Sequence, residues 1–406
     1  MEGVVSLKGT ILSTRVSSQS LKPSNWKSQF AIRRSFPCVS MDSHEINPSI
    51  CARAQKLDSR DAVTTVSPIS DSLEQAEQAL KIKDWEAAML HEEIAASQGI
   101  TIRRRPPTAP PLNYVGPFEF HARNEPNTPR NILEEIIWYK DIEISEVHLP
   151  PLLLKERSPL DALKKALDSA PPTRDFIGAL RAAYQRTGLP GLIAEVKKAS
   201  PSRGIIREDF IPIEIAKAYE KGGAACLSVL TDKKYFKANS SCTDFRLCPL
   251  LCKEFIVDAW QIYYARTKGA DAVLLIAGVL SDLEIRYMVE ICKTLGLTAL
   301  VEVHDEREMD RVLGLEGIEL VGINNRNLET FKVDISNTRK LLDVRRLEII
   351  REKDIIVVGE SGLFTPPDIS YVQEAGVKAV LVGESLVKEN DPSQGITNLF
   401  GRDISV

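Results

Sequence analysis

The chain has no CxxC pair, no GxGxxG turn, no apolar run long enough to span a membrane and no surplus of positive charge. Each absence excludes something. Without paired cysteines a redox motif or zinc ribbon is ruled out. Cys242, Cys248 and Cys252 do cluster, but no histidine lies near them, so no metal site is expected. Several of the seven cysteines fall in or beside apolar segments and read as small buried hydrophobes, which suits a reducing compartment. A net charge of −4 argues against a nucleic-acid partner. The missing apolar span predicts a soluble chain with no membrane partner.

Acid is what the first forty residues lack. They hold nine serines and six Lys/Arg but only Glu2 on the acidic side, and no apolar core of a secretory signal. That is the composition of an organelle transit peptide, with a chloroplast favoured because serine outweighs arginine. The stretch 1–60 is therefore expected to be a disordered transit peptide. Residues 61–127 read as an N-terminal extension, with a helix over 70–97 and the proline-rich linker "RRRPPTAPPLNYVGP" (103–117). The main domain is expected to run over 128–406.

Beyond residue 190 a rhythm appears. Eight short β-rich runs, among them "LIAEVKKAS" (192–200), "PLLCKEF" (249–255), "TALVEVH" (298–304) and "AVLVGES" (379–385), alternate with helical stretches such as "DLEIRYMVEICKTLG". Eight strands alternating with helices over about 200 residues predict an α/β fold, the parallel (β/α)8 TIM barrel. A doubly wound open sheet is the rival, and the missing glycine fingerprint after the first strand counts against it.

In such barrels the chemistry sits at the C-terminal ends of the strands. Polar residues collect there: Glu195 and Lys197 on strand one, Lys253 on strand three, Glu302 on strand five, Asn324 and Arg326 on strand six, Glu360 and Ser361 on strand seven. A lone charge at a strand end is ordinarily a solvated rim residue. Lysines and glutamates converging on one rim can instead shift one another's pKa values and act as acid and base. The near repeats "VVGESGL" (357–363) and "LVGESLV" (381–387) add small-residue turns after the last two strands, the usual phosphate position in this architecture. The residues thus point to a barrel enzyme acting on a small phosphorylated anion, with no metal or other cofactor required.

The segments "IAEVKKASPSRG", "LLCKEFIVD", "LVEVHDE", "GINNRNL", "VGESGLFTP" and "LVGESL" resemble indole-3-glycerol phosphate synthase, most of all its plant chloroplast form, from about residue 112 to the C-terminus. The resemblance implies decarboxylating, dehydrating ring closure of 1-(2-carboxyphenylamino)-1-deoxyribulose 5-phosphate in tryptophan biosynthesis, in the chloroplast stroma. It implies Lys253 as general acid, Lys197 on the substrate carboxylate or as a second acid, and Glu302 as base with Glu195 orienting the lysines. Asn324, Glu360 and Arg326 would hold the sugar, and Phe236 and Phe255 would contact substrate. Ser200, Ser361 and the backbone of Gly362, Gly383 and Glu384 would grip the phosphate. The segment 128–146 would be the helix that precedes and caps the barrel. The extension upstream could dock on the barrel or on another tryptophan-pathway enzyme, and its residues choose neither.

One departure stands out. After strand two the family carries an F-x-G-S turn and a full helix, whereas this chain reads "YFKANSSCTDFRLCPLL", with Ala238 in place of the glycine and no helical apolar face over 237–247. Uncovered, the outward side chains of strands two and three would cost about 1.5–3 kcal/mol each. The alternative is thus a catalytically impaired, splice-type variant with an interaction role or none. A different phosphate-binding barrel, such as an isomerase of the same pathway, fits the two lysines and three glutamates poorly.

Overall fold

Runs of Val, Ile, Leu and Ala buried on both faces can pair only where helices cover one side and packed side chains fill the other. All eight do so here. The computed structural model describes residues 94–105, 128–147, 160–237, 248–328 and 330–405. The transit-peptide segment, most of the 70–97 helix, the linker beyond residue 105 and the divergent stretch 238–247 lie outside them. The strands are β1 (Gly191–Val196), β2 (Cys226–Leu230), β3 (Leu250–Lys253), β4 (Ala272–Ile276), β5 (Thr298–Val303), β6 (Leu320–Asn324), β7 (Ile356–Glu360) and β8 (Ala379–Val382). They pair in parallel, each with its sequence neighbours, and β8 closes on β1. The expected (β/α)8 barrel is the observed fold. The tail of the first run forms a small hairpin of its own, Ala199–Ser200 against Gly204–Ile205.

Helices α1 (Ile132–Val147), α2 (Leu160–Leu167) and α3 (Phe176–Thr187) precede the barrel. Among those between its strands are α4 (Pro212–Lys221), α5 (Ala259–Thr267), α6 (Asp282–Thr294) and α7 (Glu306–Leu313). The starts of the last three are fixed by side chains that take up orphan N–H groups: Asp258 with Gln261, Ser281 with Glu284, and Asp305 for α7. None of the described helices is long and apolar enough to cross a membrane.

The outward side chains of β2 and β3 are not bare. Leu227, Val229, Leu250 and Cys252 are all buried. Between Leu230 and Leu250 the described residues contain no helix, yet the expected exposure of these side chains does not arise.

Residues 94–105 lie across the top loops. Arg104 meets Asp141 of α1, Glu284 at the start of α6 and the Val257 carbonyl after β3. Gln98 Oε1 accepts from Asp282 N at 3.0 Å, and Arg307 on α7 donates to the Ser97 carbonyl. Trp138 Nε1 donates to the Arg103 carbonyl at 2.8 Å, and Arg103 and Arg130 both grip the buried Glu134. Burial opposes ionisation of Glu134, but the two guanidinium groups win and hold its pKa down at about 2. This end of the extension is a strap on the barrel.

Candidate active site

Every second strand carries, at its last or next-to-last position, a charged residue that points inward: Glu195 on β1, Lys253 on β3, Glu302 on β5 and Glu360 on β7. A barrel layer of this kind is normally branched aliphatic. Here it carries three acids around one ammonium. Lys253 Nζ lies 3.1 Å from Glu302 Oε2 and 3.3 Å from Glu360 Oε2. Burial works against its charge, but Glu302, Glu360 and Glu195 outweigh burial and raise its pKa. Lys253 is therefore a committed ammonium.

The two acids beside it titrate apart. Burial would raise Glu302, yet Lys253, His304 and Asn324 hold it well below the usual carboxylate range. Glu360 goes the other way. Burial first, and then the Glu302 charge, push it up to about 8 against the pull of Lys253. Its Oε1 has no hydrogen-bond partner and occupies the space a side chain at Gly322 would need, 2.1 Å from where that Cβ would stand. One ionised and one neutral carboxyl thus face a single lysine, the usual way to keep base and acid apart. Glu195, held ionised against burial by Lys197 and Lys253, contacts Lys197 directly.

These groups border a cavity of about 160 Å³. On the β2–β3 side it is walled by Phe236 and Phe255, ring centroids 6.2 Å apart. On the β7–β8 side it meets Ser361, Gly362, Gly383 and Glu384. Ser361 and Gly362 take left-handed backbone in succession (φ 65° and 80°), which for a serine is strained. Asn325 Nδ2 donates to the Ser361 carbonyl and helps to hold that turn. A Cβ on Gly383 would stand 2.5 Å from Glu195 Oε1, so this glycine lets the carboxylate in. Gly359, its counterpart in the first repeat, has ordinary space around it.

The cavity gathers Lys197, Arg326 and the other expected site residues with two exceptions. Asn324 stands behind Glu302, donating to its Oε1 at 3.0 Å and accepting from Arg326 N, so it aims the acid rather than lining the site. Ser200 sits on the small hairpin near Ser202 and does not line the cavity. The Glu384 carboxylate is taken up by Lys388, Arg203 and, at 4.0 Å, Arg326.

Lys140 was missed by the sequence reading. Its Nζ, buried, lies 2.8 Å from Asp232 Oδ2 and 3.2 Å from Glu254 Oε1, tying α1 to the ends of β2 and β3 beside Phe236 and Phe255. The signal was available: Lys140 falls on the same α1 stripe as Leu133, Ile136, Ile137 and Ile144. His304 stands just past the end of β5, two residues from Glu302 and so on the same side of the chain. Its Nε2 lies 3.2 Å from Glu302 Oε1.

A barrel whose rim sets an ammonium among carboxyls of unlike pKa, between an aromatic wall and small-residue turns, defines a class of enzyme that moves protons on a small anionic substrate. Comparison with known proteins narrows the class. The family model for indole-3-glycerol phosphate synthase matches residues 133–399. The chloroplastic indole-3-glycerol phosphate synthase of Arabidopsis thaliana is 61% identical over 415 residues, covering 100% of both chains. The indole-3-glycerol phosphate synthases of Rippkaea orientalis and Microcystis aeruginosa are 53% and 54% identical; each covers 74% of this chain, with 99% and 98% of their own lengths matched. The chain belongs to the indole-3-glycerol phosphate synthase family. It is a lyase of tryptophan biosynthesis, and the impaired-variant and isomerase readings are not favoured.

Proposed function

We propose that the carboxyphenylamino ring of the substrate lies against Phe236 and Phe255, with its phosphate at Ser361, Gly362 and the backbone of Gly383 and Glu384. The observation that carries this reading is Lys253, held between Glu302 and Glu360 at the head of the cavity. As the ring carbon attacks the ketone, Lys253 protonates the forming alkoxide. Lys197 holds the departing carboxylate until carbon dioxide leaves and the ring regains aromaticity. The new hydroxyl then departs as water, with Lys253 or Lys197 as acid, while Glu302 takes the proton released as the double bond forms. Charge that develops in a site shielded from water is where fixed ammonium groups help most. Neutral Glu360 and Arg326 hold the sugar hydroxyls, and Glu195 keeps both lysines in place.

The acid-poor, serine-rich start of the chain and the chloroplastic relative support the chloroplast, specifically its stroma, as the site of action. Turnover of 1-(2-carboxyphenylamino)-1-deoxyribulose 5-phosphate, followed through the fluorescence of the indole formed, tests the assignment. Lys253→Ala should lower turnover by at least about a thousandfold, and near-parental turnover in that variant would remove the lysine from the mechanism.

A further inference from the structure

His304 and Glu308 continue the line of charged groups that begins at Lys253, and they lead away from the cavity. Lys253 Nζ is 3.1 Å from Glu302 Oε2, Glu302 Oε1 is 3.2 Å from His304 Nε2, and His304 Nδ1 is 3.0 Å from Glu308 Oε2. Neither His304 nor Glu308 lines the cavity. Glu308, on the first turn of α7, is partly exposed. Helix capping explains some of this geometry, since Glu308 Oε2 also accepts from the His304 backbone N–H at 2.7 Å. It does not explain the ring contacts. Nor does it explain Gly278, whose Cβ would stand 2.7 Å from Glu308 Oε1, so that the bare backbone there leaves room for the carboxylate.

The proton ledger of the proposed reaction gives this line a task. The ketone oxygen leaves as water and takes up two protons. The substrate returns one when the indole double bond forms, and carbon dioxide carries none away from a carboxylate. Each turnover therefore draws one proton from outside. We propose that His304 and Glu308 form a proton relay that reloads Lys253 from solvent through Glu302. The imidazolium gives its Nε2 proton to the ionised Glu302 at Oε1; the carboxyl then turns and delivers that same proton to neutral Lys253, so Glu302 ends as the carboxylate it began as and the ring ends neutral. The ring then turns its bare nitrogen to Glu308, which collects a proton from water. His304 Nε2 is buried and not squarely aimed at Glu302, so the handover needs a small ring movement. Burial alone would strip the ring of charge, but Glu302 and Glu308 hold its pKa up at about 10, so that it starts loaded.

This inference rests on the acid and base roles proposed above, and its test separates the two. Glutamine at 304 can hydrogen-bond but cannot carry a proton. Rapid mixing of the full chain with substrate should show His304→Gln completing one turnover per site at about the parental rate. Later turnovers should be at least about tenfold slower, with KM within about twofold of the parent. The steady-state solvent isotope effect should rise, and added imidazole should restore part of the rate. Glu308→Gln, placed at the outer end, should behave alike and stands in if the first variant does not fold. If first and later turnovers fall together, or neither falls, the relay is wrong. If Lys253→Ala still completes a first turnover, the failure lies instead in the acid assignment.

Discussion

Replacing Glu360 with glutamine should change how the barrel responds to pH. The folded carboxyl titrates near 8 against an ordinary value of 4.5, with burial the main cause and Glu302 adding to it. A carboxyl whose folded pKa is raised lends its full stability below the unfolded pKa, and that stability is lost as pH rises towards the folded one. Between those limits the folded state keeps a proton that the unfolded chain has released. The slope is about −1.4 kcal/mol per pH unit, and the whole window comes to on the order of 5 kcal/mol. That is a large part of a domain's usual 5–15 kcal/mol. Glu360→Gln fixes the neutral form and removes the slope. Glu302 contributes in the opposite sense, with stability lost as pH falls, but it is present in both proteins and cancels to first order. Urea unfolding of parent and variant from pH 5 to 9 should therefore show the variant gaining steadily on the parent up to about pH 8, then holding level. A difference constant across that range would mean that Glu360 is ionised like an ordinary carboxylate, and the split between the two acids would fall.

Lys140→Met should cost about 3–5 kcal/mol in urea unfolding, because buried Asp232 and half-buried Glu254 are left without their cation, and adding Glu254→Gln should recover part of it. An unchanged midpoint would make the cluster ornamental. Gly383→Ala drives a methyl group into Glu195 and should reduce kcat about tenfold or more for a stability loss of only about 1–3 kcal/mol. Unaltered kcat would show that Glu195 can retreat at no cost. Ser361→Gly relieves left-handed strain of about 1 kcal/mol while Ser361→Ala keeps it. Equal rises in KM for the two would assign phosphate binding to the hydroxyl, and a rise in only one would assign it to the backbone.

What sequence could reveal followed from contacts that repeat locally. Eight apolar runs separated by capped helices are a short-range pattern, and a barrel places their polar ends together whatever the details. Lys253, Glu302 and Glu360 were therefore legible before any distance was known. The unlike titration of Glu302 and Glu360 was not, because it depends on burial and on a lysine 49 residues from one of them. The orientation of Asn324 was equally hidden: its parity fits a lining residue, but both its ends are used inside the protein. Cover over β2 and β3 was misjudged because the absence of a helical pattern was read as the absence of any cover. Lys140 shows the reverse case, a signal present on one helix stripe whose meaning lay in partners at Asp232 and Glu254.

The strap at 94–105 sets an order of events. Its hydrogen bonds to Val257 and Arg311 close loops of 153 and 213 residues. The groups it binds belong to segments that follow β3 and β5, so the strap has nothing to dock on until those parts of the barrel stand. The strap thus comes early in the chain and late in the assembly. Loss of residues 94–105 would remove every one of these stitches.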